Sequence, residues 1–304
     1  MIENDILLST SQSARLIGAH ESSVKRWCNA GDLSCTLTDG GHRRIPLDRL
    51  LAFARERGLA SSLLALAPHE HAAARALLEG LSGAGTETLV ELGYEWLRAS
   101  ASRQPVQLFR LYVELGCSFE TLCDEVLAPI LHRVGTDWFE GRLDVGEEHR
   151  ITQVILDALH GLRLEAEQAP KIEGRVAVIG CEEGNRHELG AQMVRLVLVA
   201  AGWQVVYLGA NVPAEDLSRQ QSAHGARLVC VSLTPPAAPP DARRLLHRLA
   251  GLYQPGQPYR LVLGGSTVRG VQAPEASSLP FAECCYFDSI VAFAGWLHPL
   301  SLTA

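Results

Sequence analysis

The chain has 304 residues, of which 47% are hydrophobic and 20% charged, and its formal net charge is −7 at pH 7. This composition excludes a disordered chain and supplies enough apolar material for the cores of two or three domains. The sequence contains no apolar run long enough to span a bilayer and opens with no secretory signal, so we expect a cytoplasmic protein with no membrane partner.

The eight cysteines include no C-x-x-C pair, which predicts reduced and mostly buried thiols rather than a disulfide framework or a zinc site. A metal held by Cys117 and Cys123 is the weaker alternative. The adjacent Cys284 and Cys285 are interpreted as strand packing.

Residues 1–59 carry a net charge of +1, whereas the remainder carries −8. A first helix is predicted from Ser9 or Thr10 to about residue 17, then a tight turn at 18–20 and a second helix from 21 to about 29. A helix, a short turn containing glycine and a second helix form the helix-turn-helix layout, whose second helix enters the major groove of DNA.

The run GGHRRIP at 40–46, followed by an amphipathic helix, resembles the winged helix-turn-helix of MerR-type regulators. The resemblance implies promoter DNA as a partner, with the wing gripping phosphates and the second helix at the groove. The candidate DNA-binding residues are Ser22, Ser23, Lys25, Arg26, His42, Arg43 and Arg44. In the alternative interpretation, these arginines form a solvated face and the small domain only joins proteins.

Residues 60–71 are predicted to be a linker, and residues 72–168 a four-helix-bundle cap. Helices are predicted near 70–81, 86–100, 104–115, 118–140 and 144–167. Conventional MerR regulators carry one long dimerising coiled coil at this point of the chain. That pattern is missing from the sequence, which disfavours a metal sensor or multidrug regulator of the usual kind.

The last two of these helices carry Trp138, nine further residues, and then the pair Glu148-His149. An apolar stripe at helical spacing follows at Ile151, Ile155, Ala158 and Leu162. Glu148 lies three residues before this stripe and on the same side, where a carboxylate is costly unless a polar group meets it. A cofactor could supply that group. Taken singly, however, Trp138 is explained by packing and His149 by a surface position.

Strand and helix patterns alternate through residues 172–300, which predicts a parallel α/β sheet with right-handed crossovers. Strands are predicted near 175–180, 203–208, 226–233, 260–264 and 283–287. Helices are predicted near 187–201, 213–223, 239–250, 268–277 and 289–297. Ligands of such sheets sit beyond the carboxyl ends of the strands. The candidate ligand residues at these ends are His187, Gly190, Ser232, Thr234, Gly264 and Gly265.

The spacing of these residues resembles that of cobalamin-binding domains, with 41 residues between H-x-x-G and S-x-T and 29 more before the Gly-Gly pair. The resemblance implies that His187 replaces the cofactor's benzimidazole as the lower cobalt ligand. The released nucleotide tail would then thread past the serine and the glycines. The turn LGANVP at 208–213 is also similar to that of the family. A flavodoxin-like phosphate site would explain any one of these features, but not His187.

One position departs from this pattern. The family usually has Asp or Glu two residues before the histidine, where this chain has Asn185. An amide oxygen can still accept the imidazole N–H, but it brings no charge to make the ligand more basic. A degenerate domain that senses without cobalamin therefore stays open as an alternative.

The segment from Trp138 to His149 resembles the cap motif of the cobalamin-dependent MerR-class photoreceptors, the CarH/CarA/LitR family. There the tryptophan lies against the adenosyl group, and the Glu-His pair contacts the upper ligand region. In the best-known members the next residue is a histidine that captures cobalt after illumination, whereas this chain has Phe139. His149 or His132 could substitute only if the helix moves.

Together these resemblances cover nearly the whole chain and imply a multidomain protein. Its parts are a winged helix-turn-helix head, a helical-bundle cap, and a Rossmann-like (flavodoxin-like) α/β cobalamin-binding domain at 172–300. The resemblance implies that the protein is a light-responsive transcriptional regulator and not an enzyme. It would bind adenosylcobalamin between the cap and the α/β domain. Photolysis of the cobalt–carbon bond would change its oligomeric state (homodimer or homotetramer) and its DNA binding. The alternatives are a photoreceptor with a bilin as second chromophore and a corrinoid carrier for methyl transfer.

Overall fold

The computed structural model describes residues 6–59, 61–234, 239–271 and 279–302. Two compact units divide the chain, the first comprising 1–118 and 125–158 and the second comprising 119–124 and 159–304. Among the described helices, none combines the length and the apolar character needed to cross a bilayer.

The first unit begins with a helix-turn-helix and a small antiparallel sheet. Helices α1, α2 and α3 span Thr10–Leu16, Glu21–Ala30 and Leu47–Glu56, and strands β1, β2 and β3 span Leu7–Leu8, Thr36–Leu37 and Arg43–Pro46. The strand order is β1-β3-β2. Ser9 starts α1 with a capping box, in which its hydroxyl accepts the Gln12 N–H at 3.2 Å and its own N–H donates to the Gln12 side chain at 2.9 Å. The two predicted helices are therefore confirmed.

The rest of the first unit is mainly helical. Its helices are α4 Glu70–Ser82, α5 Glu87–Arg98, α6 Arg103–Glu114, α8 Ala128–Phe139 and the first part of α9 Val145–Ala166. Gly93 on α5 allows close packing, since a Cβ there would lie 3.2 Å from both Phe109 and Ile130. Of the predicted linker, residues 61–71 are described, with a 3-10 turn at Leu64–Leu66 and α4 beginning at Glu70.

The single helix predicted near 118–140 is interrupted in the structure. A short α7, Phe119–Thr121, and a π-helical turn, Leu122–Leu127, precede α8. Within the π turn, the Asp124 carboxylate accepts hydrogen bonds from the Ser289 hydroxyl at 2.7 Å and from the next two backbone N–H groups at 2.9 and 2.8 Å. Asp124 therefore caps the last helix of the second unit.

The second unit contains a five-stranded parallel sheet of order β5-β4-β6-β7-β8. The strands are β4 Val176–Cys181, β5 Gln204–Tyr207, β6 Leu228–Ser232, β7 Arg260–Gly264 and β8 Glu283–Phe287. The helices are α10 Leu189–Ala200, α11 Ala214–His224, α12 Pro239–Gly251 and α13 Ile290–Leu302. Helices α10 and α13 cover one face of this sheet, and α11 and α12 cover the other. The five strands β4 to β8 therefore lie between two apolar layers.

The five predicted strands are confirmed, as are four of the predicted helices. Of the fifth, predicted near 268–277, the described part is only a 3-10 turn at Ser266–Val268. The remaining part of this predicted helix, 272–277, lies outside the described residues.

Candidate functional site

Three neighbouring strands end in register at the predicted ligand edge of the sheet. Cys181 of β4 pairs with Ser232 of β6, and Ser232 pairs with Gly264 of β7. The loop after β4 carries His187, and α10 begins two residues later. The structure thus brings together residues that lie far apart along the sequence.

Three glycines lie at this edge of the sheet. A Cβ on Gly190 would lie 3.4 Å from the Ser232 hydroxyl. Gly265 has φ +118°, and a Cβ there would lie 2.2 Å from the backbone oxygen of Leu233, so only glycine fits. A Cβ on Gly264 would lie 3.2 Å from the Phe287 oxygen. Close contacts with neighbouring backbone oxygens therefore require glycine at 265 and favour it at 264, whereas at 190 the lack of a side chain leaves Ser232 uncovered on that side.

Asn185 is buried and ties the His187 loop to the end of β6. Its amide nitrogen donates to the Ser232 carbonyl at 3.1 Å. Its oxygen accepts the backbone N–H of His187 at 2.9 Å and the Thr234 hydroxyl at 3.1 Å. The expected contact from this oxygen to the imidazole is therefore not formed here, because two other donors already fill it. An aspartate at 185 would have no side-chain N–H to donate to the Ser232 carbonyl. This hydrogen bond therefore explains locally why asparagine suits the position.

The His187 side chain is exposed, and its ring has no hydrogen-bond partner in the parts of the chain that the structure describes. Its backbone, by contrast, is held on both sides. The N–H donates to Asn185 and the carbonyl accepts the Cys181 thiol at 3.6 Å. A neutral imidazole nitrogen is a common metal ligand, so the loop presents one ready for coordination.

The predicted turn at 208–213 packs against this loop. Asn211 has φ +55°, its side-chain oxygen accepts the Gly184 N–H at 2.7 Å, and its own N–H donates to the Asn185 carbonyl at 2.9 Å. Asparagine tolerates the left-handed conformation better than most residues. The turn was predicted correctly from the sequence, but the hydrogen bonds by which Asn211 holds the His187 loop were not predicted.

A second missed feature lies beside the histidine. The hydroxyl of Tyr207, at the end of β5, donates to the Glu188 carboxylate at 2.6 Å. The Arg195 guanidinium lies 4.9 Å from the centre of the Tyr207 ring. Burial, and then the Glu188 hydrogen bond, raise the pKa of Tyr207 well above its ordinary value. Burial, and then nearby Arg163, lower the pKa of Arg195.

These residues fit a corrinoid. An exposed nitrogen ligand, a backbone cradle of the three glycines 190, 264 and 265, and the hydroxyls of Ser232 and Thr234 all lie at one edge of the sheet. In this arrangement His187 would hold the metal, and the glycines and hydroxyls would accommodate the rest of the ligand.

In the bundle, Trp138 and Phe139 end α8 with large exposed apolar surfaces, 49% and 85% of their accessible areas. The buried Asp137 precedes them and accepts hydrogen bonds from the Tyr94 hydroxyl and from Arg142 Nε, the latter at 2.8 Å. Tyr94 and then Arg142 lower the pKa of Asp137. This network fixes the end of α8 from which Trp138 projects, and it was not anticipated from the sequence.

The predicted apolar stripe of α9 is confirmed by the burial of Ile151, Ile155, Ala158 and Leu162. Glu148 is half-buried and already has partners. It accepts the Thr152 hydroxyl at 2.8 Å and lies 3.5 Å from His149 Nε2. Its position on the stripe is therefore satisfied without a cofactor, and His149 itself is exposed.

In the N-terminal helix-turn-helix, Val24 of α2 is buried and Trp27 packs on Phe53 with ring centroids 5.0 Å apart. Of the candidate DNA-binding residues on α2, Ser23 is half-buried and the exposed ones are Ser22, Lys25 and Arg26. Lys25 is 2.8 Å from Glu21.

The wing candidates lie on or beside β3, with His42 exposed and Arg43 and Arg44 partly exposed. Arg43 donates to the Asn29 side chain at 2.6 Å. Because Asn29 lies in the last turn of α2, the wing and the second helix are held together.

Two family models match the chain, a helix-turn-helix domain over residues 7–58 and a B12 binding domain over residues 175–279. The protein therefore joins an N-terminal helix-turn-helix, through a helical middle, to a five-stranded B12-binding domain. The described site lies at the strand ends of that second domain.

Among curated proteins, the chain is 37% identical over 150 residues to the HTH-type transcriptional repressor CarH of Myxococcus xanthus, covering 49% of this chain and 48% of CarH. It is 29% identical over 150 residues to the repressor CarA of the same organism, covering 49% of each. The predicted resemblance to these repressors is confirmed as homology. The chain spans about half the length of the curated relatives it matches.

Among solved structures, the monomethylamine corrinoid protein of Methanosarcina barkeri superposes with a TM-score of 0.53 at 17% identity, covering 68% of this chain and 96% of that one. This likeness shows the fold alone.

Proposed function

We propose that this protein is a light-responsive transcriptional repressor that binds adenosylcobalamin through His187 and promoter DNA through its helix-turn-helix head. The observation that carries the proposal is the exposed imidazole of His187, which has no hydrogen-bond partner among the described residues and lies beside the glycine cradle. It occurs in a chain that also carries a helix-turn-helix domain. The homology to CarH and CarA, which are named as repressors, supports the same interpretation.

In the α/β unit, we assign His187 as the lower cobalt ligand and Asn185 as the residue that holds its loop. Gly190 would leave the space beside the Ser232 hydroxyl to the nucleotide tail, and Gly264 and Gly265, which pack against the backbone oxygens of Phe287 and Leu233, would present bare backbone to it. The hydroxyls of Ser232 and Thr234 would accept or donate hydrogen bonds to the tail.

In the bundle, we assign Trp138 and the pair Glu148-His149 to the upper ligand. The adenosylated cofactor supplies a cobalt–carbon bond that light cleaves. The half-exposed indole of Trp138 offers an apolar surface to an adenosyl group, and the Tyr94–Asp137 hydrogen bond holds that part of α8. Light can change the favoured packing of the bundle only if the bundle contacts the intact and the cleaved states differently.

Phe139 distinguishes this protein from the best-known photoreceptors of the class. Its 85%-exposed ring has no atom that can bind cobalt. Phe139 would therefore not hold the metal after illumination, and His132 or His149 would hold it only if a helix moves.

The test uses full-length protein loaded with adenosylcobalamin in the dark. A gel shift with the DNA upstream of its own gene, and ultracentrifugation, are run before and after green light. We expect a DNA-bound dimer or tetramer in the dark, and loss of both the larger species and the shifted band after illumination. One unchanged species with unchanged DNA binding would overturn the light switch.

The same samples separate the two alternatives. A corrinoid carrier for methyl transfer would bind cobalamin but would shift no DNA in the dark or the light. A sensor that uses a bilin as well would show absorption bands at longer wavelengths than cobalamin in protein purified from a host that makes bilins.

A further inference from the structure

We infer that Tyr207 and Glu188 are positioning residues for the lower cobalt ligand, acting through the start of α10 rather than on the metal. The inference rests on the proposed role of His187. It gives a function to a polar cluster that the cobalamin-binding pattern H-x-x-G, S-x-T and Gly-Gly does not include.

The cluster begins at the residue next to the histidine. Glu188 is the N-terminal cap position of α10, and its carboxylate accepts the Tyr207 hydroxyl at 2.6 Å. Tyr207 ends β5, where it pairs with Ile179 of β4, the strand that leads into the His187 loop. The start of the helix is thereby tied to the strand next to the one that carries the loop.

Arg195 holds the other side of the tyrosine. It lies seven residues after Glu188, or about two helical turns, so both side chains leave the same face of α10. Its guanidinium lies 4.9 Å from the centre of the Tyr207 ring. The ring is therefore held by a cation at its face and by a carboxylate at its hydroxyl.

These contacts act on residue 187 through the backbone. The His187 N–H is bound to Asn185, its carbonyl accepts the Cys181 thiol, and the next side chain is anchored to Tyr207. The direction in which the imidazole leaves the chain is thus fixed by neighbours on three sides. Asn185, two residues before the histidine, is neutral. Glu188 is therefore the carboxylate nearest to His187 along the sequence.

Removing the Tyr207 hydroxyl would leave the Glu188 carboxylate half-buried without this donor. The carboxylate would then turn towards water, and the first turn of α10 would lose its tie to β5. The ring of His187 would still be present, but less often in the orientation that cobalt requires.

The test compares full-length protein with Tyr207→Phe, Glu188→Gln and Glu188→Ala variants, each loaded with cobalamin and reduced to the cobalt(II) form. Each protein is labelled with nitrogen-15 histidine, because the cofactor's own benzimidazole also has a nitrogen that can bind cobalt. Electron paramagnetic resonance then reports whether a histidine nitrogen is coordinated, since nitrogen-15 splits each cobalt line in two and the nitrogen-14 of benzimidazole splits it in three. Equilibrium binding of cobalamin is measured in parallel. Tyr259→Phe is the matched control, since this buried tyrosine has no hydrogen-bond partner for its hydroxyl among the described residues.

We expect Tyr207→Phe and Glu188→Ala to lower the nitrogen-coordinated fraction and to weaken cobalamin binding about tenfold to a hundredfold, the usual effect of losing a residue that orients a metal ligand. Glu188→Gln, which can still accept the hydrogen bond, should retain most of the signal, and Tyr259→Phe all of it. If Tyr207→Phe fails to fold, the two Glu188 variants decide the outcome.

Unchanged nitrogen splitting and affinity in the folded Tyr207→Phe and Glu188→Ala variants would overturn the inference and leave the proposed function intact. Absence of nitrogen-15 splitting in the unaltered protein would instead contradict the role of His187 itself.

Discussion

Gly190 lies so close to Ser232 that the first carbon of any side chain at 190 would be 3.4 Å from the serine hydroxyl. The two residues come from different elements, the start of α10 and the end of β6. Their approach shows that the H-x-x-G and S-x-T segments meet at one edge of the sheet. We propose that the cofactor uses the space that the glycine leaves beside Ser232.

Filling that space should block cobalamin without unfolding the protein. We expect Gly190→Leu to weaken cobalamin binding, because overpacking of about 1–3 kcal/mol at the site corresponds to roughly 5- to 150-fold in affinity. Equilibrium binding followed by absorbance measures the effect. Gly295→Leu is the control, since a Cβ at this helical glycine would meet no atom within 4 Å. Equal affinities of the two variants would contradict the assignment of the cradle.

The cap on α13 predicts a stability effect within the second unit. Asp124→Ala removes the acceptor of the Ser289 hydroxyl and of two backbone N–H groups. Loss of an N-cap typically costs about 0.5–2 kcal/mol, and we expect a decrease of that size in the free energy of unfolding. Urea unfolding of Asp124→Ala, Ser289→Ala and the double variant measures it.

Because Asp124 and Ser289 are in contact, the double variant should be destabilised by less than the sum of the two single effects. Asp157→Ala, at an exposed helix position, serves as the control. Strict additivity of the two single changes would argue against the cap.

Asp137 predicts a pH dependence of stability. Its pKa is lowered in the folded protein by Tyr94 and then by Arg142. The stabilisation is therefore fully present above the unfolded-state pKa of about 4 and is lost as the pH falls through the lower folded value. Urea unfolding between pH 3 and 7 should show stability falling at the acid end in the unaltered protein. The slope should be smaller in Asp137→Asn, and identical slopes would exclude the contribution.

The head predicts a salt-dependent interaction with DNA. Arg26 is exposed on α2, and Arg43 is tied to α2 through Asn29. Removing one cation that binds a phosphate should reduce the slope of log K against log salt by about 0.9. We expect Arg26→Ala and Arg43→Ala to weaken DNA binding in fluorescence anisotropy titrations.

The control for the head is Arg103→Ala, an exposed arginine of the bundle, which should bind DNA like the unaltered protein. If all three variants bound DNA equally well at every salt concentration, the head would not be the DNA-binding surface.

Much of the α/β unit was predictable because its signals are local. Buried parallel strands are continuous apolar runs, and each is bounded by glycine or polar residues, so all five strands were found. The ligand edge followed from topology, since the carboxyl ends of parallel strands share one edge.

The missed features depend on partners far along the chain or on very short elements. β1 has two residues, too few for an alternating pattern, and the π turn at Leu122–Leu127 has no sequence period that distinguishes it from an α-helix. Asn185 was expected to contact the imidazole, but its partners include Ser232, 47 residues away. The contact of Asp124 with Ser289 spans 165 residues, and nothing in either local sequence predicts it.

The central claim is that the imidazole of His187 coordinates cobalt. The most direct measurement compares adenosylcobalamin uptake in the dark by the unaltered protein, His187→Ala, and the control His224→Ala, which changes an exposed histidine on α11. We predict tight uptake by the unaltered protein and by His224→Ala, and uptake at least about tenfold weaker by His187→Ala. Uptake by His187→Ala as tight as that of the unaltered protein would contradict the claim, as would no uptake by any of the three.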